Sequence, residues 1–137
     1  MLGLPETDKR LVIRTDYSSQ GAWKELCRRI EATNNDGFRA YVAYYDDPVL
    51  ANRGVVELVE LAKSGPFRTF FFVVDTEAIT HPEHPVLVVD VSDEPGRTFR
   101  VVPAAMWSVE NNLSLSNMDF SDFADSVNDD GIFRGFG

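Results

Sequence analysis

The sequence predicts a single α/β domain spanning residues 1–137: a mixed sheet of about five strands in β-α-β-α-β-β-β-α order, closed by a C-terminal helical segment. Three observations carry this. Short apolar runs alternate with amphipathic stretches over the first half, "LVIRT", "GAWKELCRRIEAT", "FRAYVAYY", "GVVELVELAKSG" and "TFFFVVD". Two further strand-like runs, "VLVVDV" and "TFRVV", follow one another across "SDEPGR" with no helix between them. Everything after Pro103 has helical or loop character.

Each element has a local reason. Leu11 to Thr15 reads as a buried strand. Ala22, Trp23, Leu26, Cys27 and Ile30 then recur at helical spacing, with Asp16, Ser18 or Ser19 as candidate caps. "NNDG" makes a turn, and Phe38 to Tyr45 is rich in strand formers. Val55, Leu58, Val59 and Ala62 share one face of a second helix, stopped at Gly65–Pro66. Thr69 to Asp75 is apolar throughout, as a central strand covered on both faces requires. Helical crossovers make the first three strands parallel. The tight turn at Pro95–Gly96 makes the last two antiparallel.

Composition narrows the function classes. Hydrophobic residues form 44% of the chain and aromatics 12%, enough for a core without staples. The lone cysteine, Cys27, excludes an internal disulfide and fits a small buried hydrophobe. No long apolar run spans a membrane and no secretory leader is seen, so the expected compartment is the cytoplasm. Net charge is −9, and it is uneven. Residues 1–64 carry nine basic and ten acidic side chains, residues 65–137 four and twelve. Such a chain repels phosphate backbones, which argues against nucleic acid, and suits a cationic protein partner.

Several stretches together resemble a known family: "LVIRTDYS", "GFRAYVAYYDDP", "HPVLVVDVSDEPGRTFRVVP", "WSVENNLSLSNMDFSDFADSV" and "DDGIFRGF". The family is one of small actinobacterial proteins carrying a domain of unknown function, and the resemblance runs from Leu4 to Phe136. It implies a bacterial cytosolic host and a free-standing domain. It transfers no catalytic residue, cofactor or partner.

Candidate sites rest on chemistry. Asp16, Asp46 and Asp75 follow the first three strands, at the edge where open α/β sheets bind ligands; clustered there they would hold Mg²⁺. Asp47 follows Asp46, and each aspartate is equally suited to cap a helix or turn. "HPEHP" holds both histidines, His81 and His84 with Glu83, but its prolines spoil a helical zinc geometry. No serine sits in a nucleophile-elbow pattern, so no catalytic residue is assigned and no cofactor is expected beyond the Mg²⁺ alternative. Trp107, Asn111 and Asn112 form a candidate polar pocket. Trp107, Leu113 and Leu115 are expected to face inward, and Phe120, Phe123 and Val127 to form a core stripe. Asp119, Asp122, Asp125, Asp129 and Asp130 are expected to make a negative, partner-binding face.

The leading functional expectation is a non-enzymatic acidic binding protein, immunity- or antitoxin-like, masking a basic partner. The alternatives are a small Mg²⁺-dependent or phosphate-handling enzyme using the strand-end aspartates, and a small-molecule sensor.

Overall fold

The computed structural model describes residues 7–63 and 69–136. Six strands form one mixed sheet: β1 (Arg10–Arg14), β2 (Val42–Tyr45), β3 (Phe70–Val74), β4 (Val86–Asp90), β5 (Thr98–Val101) and β6 (Ile132–Phe133), in the spatial order β2-β1-β3-β4-β5-β6. β1 pairs in parallel with both β2 and β3, as the crossovers require. β4 runs antiparallel to both its neighbours, and β6 returns parallel to β5. The sixth strand was not expected from sequence. Two residues carry no periodicity, and the pairing depends on a turn in which Gly131 takes a left-handed φ of 80°.

Among the described residues, five α-helices accompany the sheet: α1 (Gln20–Glu31), α2 (Val55–Lys63), α3 (Thr76–Thr80), α4 (Met106–Ser114) and α5 (Phe120–Ala124). Ser19 is the α1 cap, its hydroxyl accepting from the Ala22 N–H at 3.1 Å. The expected stop of α2 at Gly65–Pro66 lies outside the described residues. Within them, no helix is long and apolar enough to cross a membrane.

Strand alternation divides the core between two faces. Phe70, Phe72 and Val74 of β3 pack with Trp23, Leu26 and Ile30 of α1 and with Met106, Val109, Phe120 and Phe123 of α4 and α5. Phe71 and Val73 point the other way, against Leu58, Val59 and Ala62 of α2 and against Leu50. Every β3 residue is buried, which is the reason its sequence is apolar without alternation.

The segment after Pro103 departs from expectation. Phe120 and Phe123 are core, with Leu113 and Val127 half-buried against it as expected, but α4 buries Met106, Val109 and Glu110, while Leu115 is 63% exposed and Trp107 is half-buried. Leu115 turns outward because α4 ends before it. Ser116 adopts φ 57°, and the Asn112 carbonyl accepts from the N–H groups of Asn117 and Met118 at 2.9 and 3.3 Å. α4 and α5 therefore present independent faces.

Candidate functional site

The carboxyl ends of β1, β2 and β3 share one edge of the sheet. Asp16, Asp46 and Asp75 stand there as the sequence predicts, β1 lying between β2 and β3 in the sheet. Each carboxylate has a partner in the fold, Asp16 buried and Asp46 exposed. Asp16, 7% exposed, accepts from the Ser18 N–H at 2.9 Å, the Ser18 hydroxyl, and the Thr76 hydroxyl at 2.7 Å. Those hydrogen bonds, from Ser18 and then Thr76, hold its pKa below the ordinary 3.8. Asp75 caps α3 through the Ala78 N–H and takes a two-pronged pair from Arg100 at 2.9 and 2.7 Å. Arg100 also reaches Glu77 at 3.1 Å and the Pro85 carbonyl at 3.0 Å.

Asp46 faces Arg14, and this pairing was missed from sequence. Arg14 ends an apolar strand and is 2% exposed. Its guanidinium lies over the rings of Tyr17 and Trp23, 4.1 and 4.8 Å from their centroids. It donates to the Gln20 side chain at 2.9 Å and the Asp16 carbonyl at 3.1 Å, and stands 3.4 Å from Asp46. Tyr17's hydroxyl is enclosed and makes no hydrogen bond of good geometry. Burial, followed by the nearness of Asp46, raises its pKa and keeps it protonated. The signal in the sequence was the arginine inside "LVIRT": a charge in a buried strand has to find partners.

The edge is thus a rim closed on itself. Among the described residues no three His, Cys, Asp or Glu side chains are placed to hold one metal ion, so the expected Mg²⁺ set does not assemble. "HPEHP" is likewise spent on structure. The His84 ring Nδ1 lies 2.8 Å from the Ala78 carbonyl, which can only accept, so Nδ1 carries the proton. The His81 Nδ1 accepts from the Glu83 N–H, and Glu83 grips Arg134 at 2.8 and 2.9 Å.

Trp107, Asn111 and Asn112 do not converge on a pocket. Trp107 stacks on Phe38 with centroids 5.2 Å apart; Asn111 is exposed; Asn112 donates to the Ser108 carbonyl at 2.9 Å. Buried Glu110, unforeseen on α4, instead accepts from the Tyr41 N–H at 2.6 Å and the Ser114 hydroxyl at 2.8 Å.

The acidic region is real but is not one helix face. α5 ends at Ala124, so Asp125 is its C-cap, and Asp129 and Asp130 lie in the turn before β6. Asp122 accepts from the Asp119 N–H at 2.8 Å, closing the start of α5. Asp125 pairs with Arg97 at 2.8 Å and Asp130 with Arg134 at 2.7 Å. Each arginine is shared: Arg97 also meets Glu94, Arg100 meets both Asp75 and Glu77, and Arg134 also meets Glu83. Every such cluster keeps an excess negative charge. Near α5 a cleft of about 160 Å³ runs between the β4–β5 turn and the α4–α5 loop, with Phe70, Met118 and Phe120 beside Asp90, Asp93 and Asp119 and, among the described residues, no cation in its lining. Asp90 is fixed by the N–H groups of Ser92, Asp93 and Glu94, whereas Asp93 and Asp119 are exposed.

A search of the curated proteins returns no match. A family model described as a domain of unknown function, DUF6924, matches residues 9–136, nearly the whole chain and all six strands. The chain belongs to the DUF6924 family.

Proposed function

We propose that this protein is a non-enzymatic acidic binding protein that masks a basic protein partner, in the manner of an immunity protein or antitoxin, in the cytosol of an actinobacterial host. The observation that carries this reading is the distribution of charge over the second half. Three described arginines, Arg97, Arg100 and Arg134, are each outnumbered by two carboxylates, while Asp93, Asp119 and Asp129 have no ion pair with a described cation. The residual field draws cations toward the β4–β5 turn and α5. There the cleft offers carboxylates above an aromatic floor, a setting for the charged head and alkyl stem of a lysine or arginine. The strand-end aspartates, bound to Arg14, Arg100, Ser18 and Thr76, give no comparable support to catalysis.

The test is capture from a native-host extract followed by binding measurements with the isolated partner. The reading requires a basic partner whose association slows steeply with salt. A neutral or acidic partner with salt-independent association would sink it.

A further inference from the structure

The sheet ends on one side in β2, which pairs with β1 and, among the described residues, with no other strand. The Arg10 N–H donates to the Tyr41 carbonyl, and Arg10 stands opposite Val42 in a parallel register. Ala43 and Tyr45 therefore continue the ladder toward β1, and alternation turns the N–H and C=O groups of Val42 and Tyr44 outward. Such an edge accepts another strand unless a charge, a proline or a bulge interrupts it. β2 reads "VAYY" in unbroken register with β1, so it carries none of these. We propose that a second copy of this chain docks here, β2 against β2 in antiparallel array about a two-fold axis at Ala43, joining two sheets into one.

In that register the chain around β2 is complementary to itself. Val42 lies opposite Tyr44 of the second copy, and each pair exchanges N–H···O=C bonds, which satisfies every outward backbone group of the strand. Ala43 sits on the axis, at a non-hydrogen-bonded position where the strands approach closely and a small side chain fits. Tyr41, 53% exposed, meets the half-buried Tyr45 of the second copy as a cross-strand aromatic pair. Arg39 falls opposite Asp47 of the second copy. Both are exposed, and neither has an ion pair among the described residues. The backbone is still extended at Asp47, with φ −137° and ψ 120°. One Asp47 oxygen accepts from the Val49 N–H at 3.0 Å, which leaves the other for Arg39. Charge thus selects the arrangement: a parallel array would set arginine beside arginine and aspartate beside aspartate, and a register shift would separate the opposite charges. The acidic region around α5 and β6 lies at the other end of the sheet, so both copies keep it open. The dimer goes beyond the masking reading and does not depend on it.

Sedimentation equilibrium of the intact chain, carried up to about 1 mM to reach weak association, is the first measurement. A monomer–dimer equilibrium is expected. Amide hydrogen exchange at Val42 and Tyr44 should slow as the dimer forms, whereas Ala43 and Tyr45 should be protected in the monomer already. Arg39→Asp and Asp47→Lys should each weaken the dimer about tenfold or more, since like charges then face each other in both halves of the interface. Asp47→Lys also removes the cap on Val49, so the deciding result is the mixture of the two variants. Mixed, they should form a heterodimer tighter than either variant alone, because each charge again meets its opposite. Circular dichroism matching the wild type would show that each variant folds. A chain that stays monomeric, a dimer with unchanged exchange at Val42 and Tyr44, or a mixture no tighter than its components would overturn the proposal. Protection of those two amides in the monomer, or only when a different protein is bound, would assign the edge to another occupant and equally contradict it.

Discussion

Arg97 and Asp125 meet at 2.8 Å across 28 positions of sequence, tying the β4–β5 turn to the end of α5. Glu94 holds the same guanidinium from the other side at 2.9 Å, so one cation serves two carboxylates. Arg97→Gln removes that cation. Because the pair is solvent-exposed, its loss should leave the urea midpoint nearly unchanged. The surface becomes more negative, so a basic partner should associate faster at low salt than with the wild-type protein. Slower association would mean that Arg97 itself contacts the partner.

The aromatic cluster under α5 should dominate stability. Phe123 is fully buried, with Phe99, Phe133 and Phe136 at centroid distances of 6.2, 5.2 and 5.5 Å. Phe123→Ala should cost about 3–5 kcal/mol by urea denaturation. A loss below about 1 kcal/mol would contradict the packing of α5 on β5 and β6.

Asp16 gives a pH signature with a defined sign. The unfolded chain titrates at the ordinary 3.8 and the native carboxyl lower, so acid protonates the unfolded chain first. Its stabilisation is complete above the ordinary value and is lost as pH falls through the lower native value. The gap in urea midpoint between wild type and Asp16→Asn should hold steady from about pH 7 to 5 and shrink below about pH 4. A gap that does not change with pH would show that Asp16 acts without its charge.

Cys27 should be unreactive. It is half-buried, and burial, followed by Glu31, pushes its thiol up from 9.0 to about 12. At about pH 8 the native protein should react with iodoacetamide at least about a hundredfold more slowly than the urea-unfolded chain, since the thiolate is the nucleophile. Equal rates would place the thiol in open solvent.

The sequence made the frame legible where burial is two-sided or strictly periodic. "TFFFVVD" became a fully covered β3, and the face of α2 holds Leu58, Val59 and Ala62 as expected. Strand-end aspartates were also placed correctly, because their position follows from topology alone. What they bind was not legible. Arg14 reaches Asp46 over 32 positions and Arg100 reaches Asp75 over 25, and no local pattern announces such pairs. Trp107 and Leu115 were misassigned for a different reason. Ser116 and the Asn112 carbonyl end α4 early, and the buried polar residue Glu110 takes a core position to hold Tyr41. The acidic stretch was read correctly as charge but not as shape, since arginines from distant turns fold back onto it.

The central claim is that the exposed carboxylates beside the β4–β5 turn and α5 steer a basic partner. The direct measurement is the association rate of the captured partner across a salt series, for wild type and for the triple variant Asp93→Asn, Asp119→Asn, Asp129→Asn. Asparagine caps a helix as well as aspartate does, so α5 should remain folded, as far-ultraviolet circular dichroism would check. The account predicts slower association at low salt and a shallower salt dependence for the variant, with the two proteins converging at high salt. Identical rates and slopes for a folded variant would contradict it.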